Sequence, residues 1–189
     1  MDTRERLIQS TRELLWERGY VGMSPKAIQE RSGAGQGSMY HHFRGKPDLA
    51  LAAIDRSAGE MRDRAETAFT GSGTVIERVA AYLRRERDAL KGCPVGRLTQ
   101  DPDVMADPGL SAPIERTFAW LTDRLAGLLA QGREDGELDA SLDPATTATA
   151  LVAVLQGGYV LARAAGSAEV YAQAVEGALG LLAGHVRQP

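Results

Sequence analysis

The side chains that could do chemistry in this sequence are concentrated between positions 36 and 42. This segment carries an amide, a hydroxyl, a phenol and two imidazoles, all of which can donate or accept hydrogen bonds. Met39 and Phe43 are spaced i, i+4, so both can anchor a short helix inward while the polar groups face outward. Such a helix can offer hydrogen bonds to base edges or phosphate oxygens. The polar residues are Gln36, Ser38, Tyr40, His41 and His42.

A second short helix is predicted immediately before this segment. Ser24 can accept a hydrogen bond from a first-turn amide, and Pro25 stands where its missing N–H costs nothing. Gly33 can adopt the positive φ that lets the chain leave the helix and reverse. Two short helices joined by a tight glycine turn have the shape of a helix-turn-helix.

The stretch GAGQGSMYHHFRGKPDL resembles the recognition-helix signature of the tetracycline-repressor (TetR) family of bacterial transcription regulators. The resemblance extends over Arg4 to Leu51. Two positions depart from the family pattern, since Gly35 replaces the usual capping Ser or Thr and His41 replaces the common Tyr or Trp. Gly caps almost as well as Ser, so the predicted fold is unaffected. The matching positions are Gln36, Gly37, Ser38, Met39, Tyr40, His41, His42, Phe43 and Lys46.

The resemblance implies that this helix enters the major groove of DNA. Gln36 and Ser38, near its N-terminus, would face base edges, and Gly37 would allow a close approach. Tyr40 and His41 would bond phosphate or touch a thymine methyl. The alternative for Tyr40 is that it only packs the N-terminal domain.

Phosphate contacts are expected on either side of these base contacts. His42 is predicted to bond a phosphate, although it too could serve only in packing. Lys26 and Lys46 lie at predicted helix starts, where ammonium groups can meet phosphates flanking the groove. Ser24 completes the predicted DNA-binding set, and the alternative for Lys46 is a solvated surface charge.

Composition predicts an all-α protein. Hydrophobic residues make up 43% and charged residues 25% of the chain, as in ordinary globular proteins, and the apolar period is helical throughout. The net charge of −3 does not suggest a nucleic-acid binder, but residues 1–47 carry +3 and the remainder −6. DNA contact confined to one end would fit this asymmetry, as would chance fluctuation in two modest sums.

The predicted organisation is a three-helix bundle containing the helix-turn-helix at residues 1–46, followed by a helical effector-binding and dimerisation domain at residues 47–189. Asp2 or Thr3 can cap the first helix, and Lys46-Pro47-Asp48 starts a long helix that continues to Phe69. Thr74 and Glu77 form a capping box for a helix predicted to reach Leu90.

The last two predicted helices carry small residues within their apolar faces. An interior Gly costs roughly 0.5–1 kcal/mol against Ala, so several in one helix suggest close packing of another helix. The resemblance implies that these helices form a four-helix dimer interface, whereas a high-GC genome could enrich Gly and Ala without structural purpose. The predicted interface residues are Leu151, Leu155, Gly158, Ala162, Val170, Ala174, Gly177 and Leu181.

A ligand pocket is predicted among the helices after residue 46, because regulators of this kind hold a small molecule there. Aromatic, soft or isolated polar residues on aliphatic segments suit such a pocket, although ordinary core packing explains them as well. Arg163 would need an anionic partner if buried, or could lie at a helix end. The predicted pocket residues are Tyr82, Cys93, Leu98, Met105, Phe118, Trp120, Leu121, Gln156, Tyr159 and Arg163.

Enzymatic and metal-dependent functions are not expected. Only three histidines are present, two of them adjacent, and no metal set, nucleophile–base trio or phosphate loop is spelled out. We therefore expect no metal and no cofactor. Cys93 is the sole cysteine, which fits a reducing cytosol and leaves an oxidation-sensing role as an alternative.

No membrane association is expected. The first five residues lack the apolar segment of a signal peptide, and the most apolar run, residues 148–165, is interrupted by Gln156, two glycines and Arg163. Together with the resemblance to the TetR family, this implies a cytoplasmic, homodimeric repressor that a small-molecule effector releases from a palindromic operator in double-stranded DNA. The alternatives are a constitutive DNA-binding regulator, a redox sensor acting through Cys93, and a small-molecule-binding protein without DNA affinity.

Overall fold

The computed structural model describes residues 1–187. Regular secondary structure in this range is helical, apart from one isolated antiparallel bridge between Leu138 and Val186. This architecture confirms the all-α prediction. The helices are α1 (Thr3–Arg18), α2 (Pro25–Ser32), α3 (Gln36–His42), α4 (Lys46–Phe69), α5 (Val75–Arg84), α6 (Pro102–Ala106), α7 (Pro108–Glu134), α8 (Pro144–Ala165) and α9 (Ala168–Ala183), with a 3-10 turn at Gly96–Gln100.

Short polar side chains fix where several helices begin, as the sequence predicts. Asp2 accepts a hydrogen bond of 2.7 Å from the Glu5 amide at the start of α1, and Asp143 does the same for the first turn of α8. Thr74 Oγ1 accepts from the Glu77 amide at 3.2 Å, while Glu77 Oε2 accepts from the Thr74 amide at 2.8 Å. These bonds satisfy amides that have no partner inside the helix.

Helix α5 ends at Arg84, well before the predicted end at Leu90. The Arg87 guanidinium folds back and donates to the carbonyl oxygens of Tyr82 and Leu83, both at 2.7 Å. The last carbonyls of a helix lack intrahelical partners, so Arg87 satisfies two of them from outside. The prediction was wrong here because it followed the apolar period and did not consider this side-chain cap.

The chain forms two compact units whose boundaries differ from the predicted division at residues 46 and 47. Unit 1 contains Met1–Glu60 and Pro94–Arg116, and unit 2 contains Met61–Cys93 and the chain from Thr117 onward. The first turns of α4 belong to unit 1 because their apolar residues, such as Leu49 and Ile54, are buried in its core.

The second segment of unit 1 is tied to the turn after α1. Asp101 Oδ2 accepts hydrogen bonds from the backbone amides of Tyr20 at 2.7 Å and Val21 at 3.2 Å. Its other carboxylate oxygen accepts from the first turn of α6. Arg97 donates to the carbonyl oxygen of Trp16. Both side chains thereby join parts of unit 1 that lie about 80 residues apart in sequence.

In unit 2, α8 and α9 pack closely because of one glycine. A Cβ at Gly158 would lie 3.1 Å from Cδ2 of Tyr171 and 3.5 Å from the Cβ of Ala174. The neighbouring Gly157 is exposed, and a Cβ there would meet no atom within 4 Å. Gly158 therefore serves helix packing inside the subunit, whereas Gly157 does not.

Helix α8 is long and apolar enough to cross a membrane by length and composition, with 22 residues and a mean hydropathy of 1.4 over its most apolar window. A third of that window is buried inside the protein. Leu151, Leu155 and Ala162 form the buried face, so the apolar character of α8 serves in part the packing of unit 2.

We expect Gly158→Val to lower the free energy of unfolding by about 1–3 kcal/mol, because the added methyl groups overpack the contact with Tyr171. Gly127→Val, at an exposed glycine of α7 whose Cβ would meet no atom within 4 Å, is the control and should change stability by no more than about 0.5 kcal/mol. Urea denaturation of both variants measures the difference, and equal effects would contradict this account of the α8–α9 contact.

Candidate functional site

The site begins with the turn that joins α2 to α3. Ser24 Oγ accepts a 3.2 Å hydrogen bond from the Ala27 amide, and Gly33 has φ +66°, in the left-handed region. Ser32 Oγ then accepts from the Ala34 amide at 3.2 Å, closing the turn. These contacts give the helix-turn-helix that the sequence predicts, and Gly35 begins α3 without a side-chain cap.

Apolar side chains hold α3 from behind. Met39 is 1% exposed and Phe43 4% exposed, and both lie with Ile28 of α2 in the core of unit 1. The Arg4 guanidinium lies 5.4 Å from the centroid of the Phe43 ring, which adds a cation–π contact at the end of the helix. The orientation of α3 is therefore set by its buried face.

The opposite face of α3 is open and polar. Gln36, Tyr40, His41 and His42 are exposed, and Ser38 is half-buried. The imidazole rings of His41 and His42 contact each other edge to face, with their centroids 5.0 Å apart. The structure thus brings all the predicted recognition-helix side chains onto one short helix, with hydrogen-bonding groups available to a partner.

Gly37 lies in the middle of this polar face. It is exposed, and a Cβ built on it would meet no atom within 4 Å. Its φ lies outside the left-handed region. Neither internal packing nor backbone conformation therefore requires glycine at this position, which is consistent with the predicted close approach of an external surface.

The two predicted phosphate-contacting lysines lie in different environments. The Lys26 side chain is 86% exposed and its ammonium lies 3.9 Å from a carboxylate oxygen of Glu30. The Lys46 ammonium lies 4.0 Å from the centroid of the Tyr20 ring, at the start of α4. Burial, followed by nearby aspartates, raises the pKa of Tyr20. Lys46 is therefore held over a neutral ring, whereas Lys26 extends into solvent.

Arg44 is a candidate that the sequence reasoning omitted. Its side chain is 92% exposed and comes directly after Phe43, at the C-terminal end of α3. The Arg44 amide donates to Asp48 at 3.1 Å, and this bond, with the side-chain bond from the same arginine, lowers the pKa of Asp48. Arg44 lies two residues before Lys46, and this proximity could have led to its inclusion in the predicted DNA-binding set.

The predicted ligand residues are divided between the two units. Leu98 and Met105 belong to unit 1, where Met105 is 48% exposed on α6. Arg163 is exposed in the last turn of α8, so the buried alternative for this residue is wrong. In unit 2, Leu121 is buried and Phe118, Trp120 and Gln156 are half-buried.

Tyr82, Tyr159 and Cys93 are the predicted ligand residues that the structure does bring together. All three are buried in unit 2. Burial raises the pKa of both phenols; the charge of Arg87 acts against this rise, and the nearby Cys93 adds to it. The same cluster includes Tyr171, Arg85 and Arg87. The two arginines were missed because charged residues within a predicted helix look like surface residues in the sequence.

The predicted dimer residues divide between the interior and the surface of unit 2. Leu151, Leu155, Gly158 and Ala162 are buried within the subunit, so this half of the prediction describes internal packing rather than an exposed face. The apolar spacing in α8 is helical, as predicted, but the sequence did not show which of its two faces of small residues packs against α9. Gly177 and Leu181 are exposed, and Val170 and Ala174 are half-buried.

Residues 7–53 match the family described as bacterial regulatory proteins, tetR family, and residues 73–178 match the tetracyclin repressor-like C-terminal domain. The chain belongs to the TetR family. The family assignment confirms the resemblance read from the α3 signature, and it makes the protein a DNA-binding transcriptional regulator rather than an enzyme.

Relatives of the TetR-family chain resemble it over most of their length. The transcriptional regulator AcuR of Cereibacter sphaeroides is 29% identical over 164 residues, which are 83% of this chain and 74% of that protein. The transcriptional repressor NemR of Escherichia coli is 26% identical over 175 residues, 89% and 87% of the two chains. The solved regulatory protein TetR from Rhodobacter sphaeroides superposes with a TM-score of 0.83 at 26% identity, covering 93% of this chain and 96% of that one.

We expect Met39→Ala to lower the free energy of unfolding by about 2–5 kcal/mol, because it leaves a cavity behind α3. Tyr40→Ala, one residue later on the exposed face, should change it by no more than about 0.5 kcal/mol. Denaturant unfolding followed by circular dichroism gives both values, and a large loss in Tyr40→Ala would show that Tyr40 packs the fold.

Proposed function

We propose that this TetR-family protein is a homodimeric repressor, released from a palindromic operator by a small-molecule effector. The observation that carries the DNA-binding half of the proposal is the division of α3 into a buried apolar face and an exposed polar face. Placing the N-terminal turn of such a helix in the major groove brings its side chains to base edges.

Separate roles within the interface are proposed from exposure and chemistry. Gln36 and Ser38 contact bases, since an amide can pair with adenine in two places and a hydroxyl can pair with several bases. Gly37 lets the helix backbone approach the groove. The list of proposed phosphate and methyl contacts is Ser24, Lys26, Tyr40, His41, His42, Arg44 and Lys46.

The dimer is proposed to use the exposed faces of α8 and α9. Val160 and Leu161 are each 56% exposed, and Leu181 is 79% exposed. Gly157 and Gly177 lie open on the same two helices, so another helix could approach their backbones closely. Large apolar side chains beside open glycines support an interface with a second copy of the chain.

The effector is proposed to bind among the helices of unit 2. Helix α4 contributes residues to both units, so it offers a continuous element through which occupancy of unit 2 could alter operator affinity. A coupling free energy of about 1–3 kcal/mol would suffice for regulation.

Constitutive binding remains the alternative if no compound changes operator affinity. The redox alternative has less support, because Cys93 is buried and is the only cysteine. A DNA-binding regulator of this kind would work in the cytoplasm.

For DNA contact, we expect Gln36→Ala to lose about 1–3 kcal/mol of binding free energy at one base position and little elsewhere. Lys26→Ala should instead weaken binding to all sequences alike and reduce the slope of log affinity against log salt by about one. Duplexes selected by the protein from a randomised pool, followed by titration at several salt concentrations, provide the measurement.

The control for this experiment is Gln131→Ala, an exposed glutamine on α7 outside the proposed interface. It should leave affinity and sequence preference unchanged. The assignment of α3 to base contact is wrong if Gln36→Ala shifts no base preference, or if Gln131→Ala has the same effect.

For the dimer, we expect Leu181→Glu to convert the protein from twice the 20.2 kDa chain mass to a single chain, because it places a charge in an apolar interface. Leu90→Glu, at an exposed leucine outside α8 and α9, is the control and should remain dimeric. Light scattering after size exclusion measures both masses. A dimeric Leu181→Glu protein would move the interface away from α9.

A further inference from the structure

Two arginines of unit 2, Arg85 and Arg87, form no ion pair with an acidic side chain among residues 1–187. Arg85 follows the last residue of α5 and is half-buried. Its Nε is buried without a hydrogen-bond partner among residues 1–187, and its guanidinium forms no ion pair there. Arg84, its immediate neighbour, is exposed and pairs with Glu176 at 2.6 and 2.7 Å. The contrast shows that a carboxylate lies within reach of one arginine and not of the other.

Arg87 adds a second positive charge beside the first. Its guanidinium donates to the carbonyl oxygens of Tyr82, Leu83 and Arg85, and its Cζ lies 5.1 Å from the Tyr82 ring centroid. A helix C-terminus supplies only about half a negative charge. Burial, and then the charge of Arg87, lowers the pKa of Arg85, and no carboxylate acts in the opposite direction. The cluster is therefore short of at least one negative charge.

Aromatic rings surround these two cations. The Arg85 Cζ lies 5.7 Å from the Tyr82 ring centroid, and Arg87 lies 5.9 Å from that of Tyr171. Phe69 packs on Tyr82 at 4.9 Å, and Tyr159 on Tyr171 at 4.7 Å, measured between ring centroids. Three of the four rings are phenols, so the surroundings are mainly apolar with a few hydroxyl groups.

One of these hydroxyl groups is poorly satisfied. The Tyr171 oxygen is buried and forms no hydrogen bond of normal geometry within residues 1–187, although the Tyr159 side chain lies close enough to affect its pKa. A buried donor without a partner costs free energy, and so does a half-buried guanidinium without a counter-ion. A bound anion would satisfy both groups, because a guanidinium and a phenol can each donate hydrogen bonds to anionic oxygens.

We propose that Arg85, supported by Arg87 and Tyr171, binds the anionic oxygens of a small organic acid whose apolar body lies against the tyrosine rings. The site rests on the proposed function, in which unit 2 holds the effector, and it assigns a chemical class to that effector. A guanidinium accepts a carboxylate or a phosphate, so the shared chemistry is an oxyanion on an apolar or aromatic group.

The test compares acids with their neutral counterparts on the full-length protein. Benzoate, cinnamate, hexanoate and phenyl phosphate are titrated beside benzamide, cinnamide, hexanamide and phenol, at constant ionic strength set with sodium chloride. We expect at least one acid to raise the melting temperature and bind in calorimetry at least tenfold more tightly than its neutral partner. Whether a carboxylate or phenyl phosphate binds more tightly identifies the preferred oxyanion. Acids that act no better than their neutral partners overturn the proposal.

Variants locate the binding. Arg85→Gln should weaken the acid at least tenfold, Arg85→Lys should restore part of the affinity, and Arg84→Gln should leave it unchanged because that arginine already has a partner. Without ligand, Arg85→Gln should melt at or above the wild-type temperature, since it removes an unneutralised charge. Equal losses in Arg84→Gln and Arg85→Gln, or a ligand-free Arg85→Gln protein that melts lower or loses its dimer, overturn the proposal. The last result would indicate that a carboxylate of a second copy fills the site.

Operator binding separates this proposal from the function on which it rests. If a neutral compound releases the operator while no acid binds, effector control stands and the anionic class is wrong. If an acid binds through Arg85 and leaves operator affinity unchanged, the site stands and effector control through it is wrong.

Discussion

The burial of Met39 and Phe43 is the interaction on which the DNA-binding surface depends. A helix of seven residues is too short to be stable alone in water, so α3 exists because its apolar face is packed in unit 1. That packing also decides which side chains remain outside. The same contact therefore supplies both the stability of α3 and the orientation of its polar face, whereas Ser24 and Gly33 only set where α2 begins and ends.

Charge is distributed differently in the two units, in keeping with two kinds of partner. Around α3 the cations are exposed or held at the surface, as Arg44 and Lys46 are, where they suit a polyanion that remains in water. In unit 2, Arg85 is half-buried among aromatic rings, where a single counter-charge has a much larger effect because little solvent screens it. A small acid fits the second environment better than a nucleic acid does.

The sequence predicts local features well because their causes are local. Caps at Asp2, Ser24 and Thr74 depend on residues at most three positions away, and the α3 signature lies within one short segment. Tertiary contacts defeated the other predictions. The end of α5 depends on a guanidinium folding back on the helix, and the choice between two small-residue faces of α8 depends on where Tyr171 lies. Arg85 could not be recognised, because what distinguishes it is the lack of an acidic partner among residues 1–187, and no spacing pattern encodes that.

Asp101 makes the DNA-binding unit discontinuous in sequence. Its carboxylate holds the amides of Tyr20 and Val21, while Arg97 holds the carbonyl oxygen of Trp16. A chimaera that grafts only the first sixty residues onto another regulator would therefore carry the recognition helix but leave these backbone groups without their partners. To exchange DNA specificity between such proteins, the second segment of unit 1 must be transferred together with the first. Otherwise the recipient must provide residues equivalent to Asp101 and Arg97.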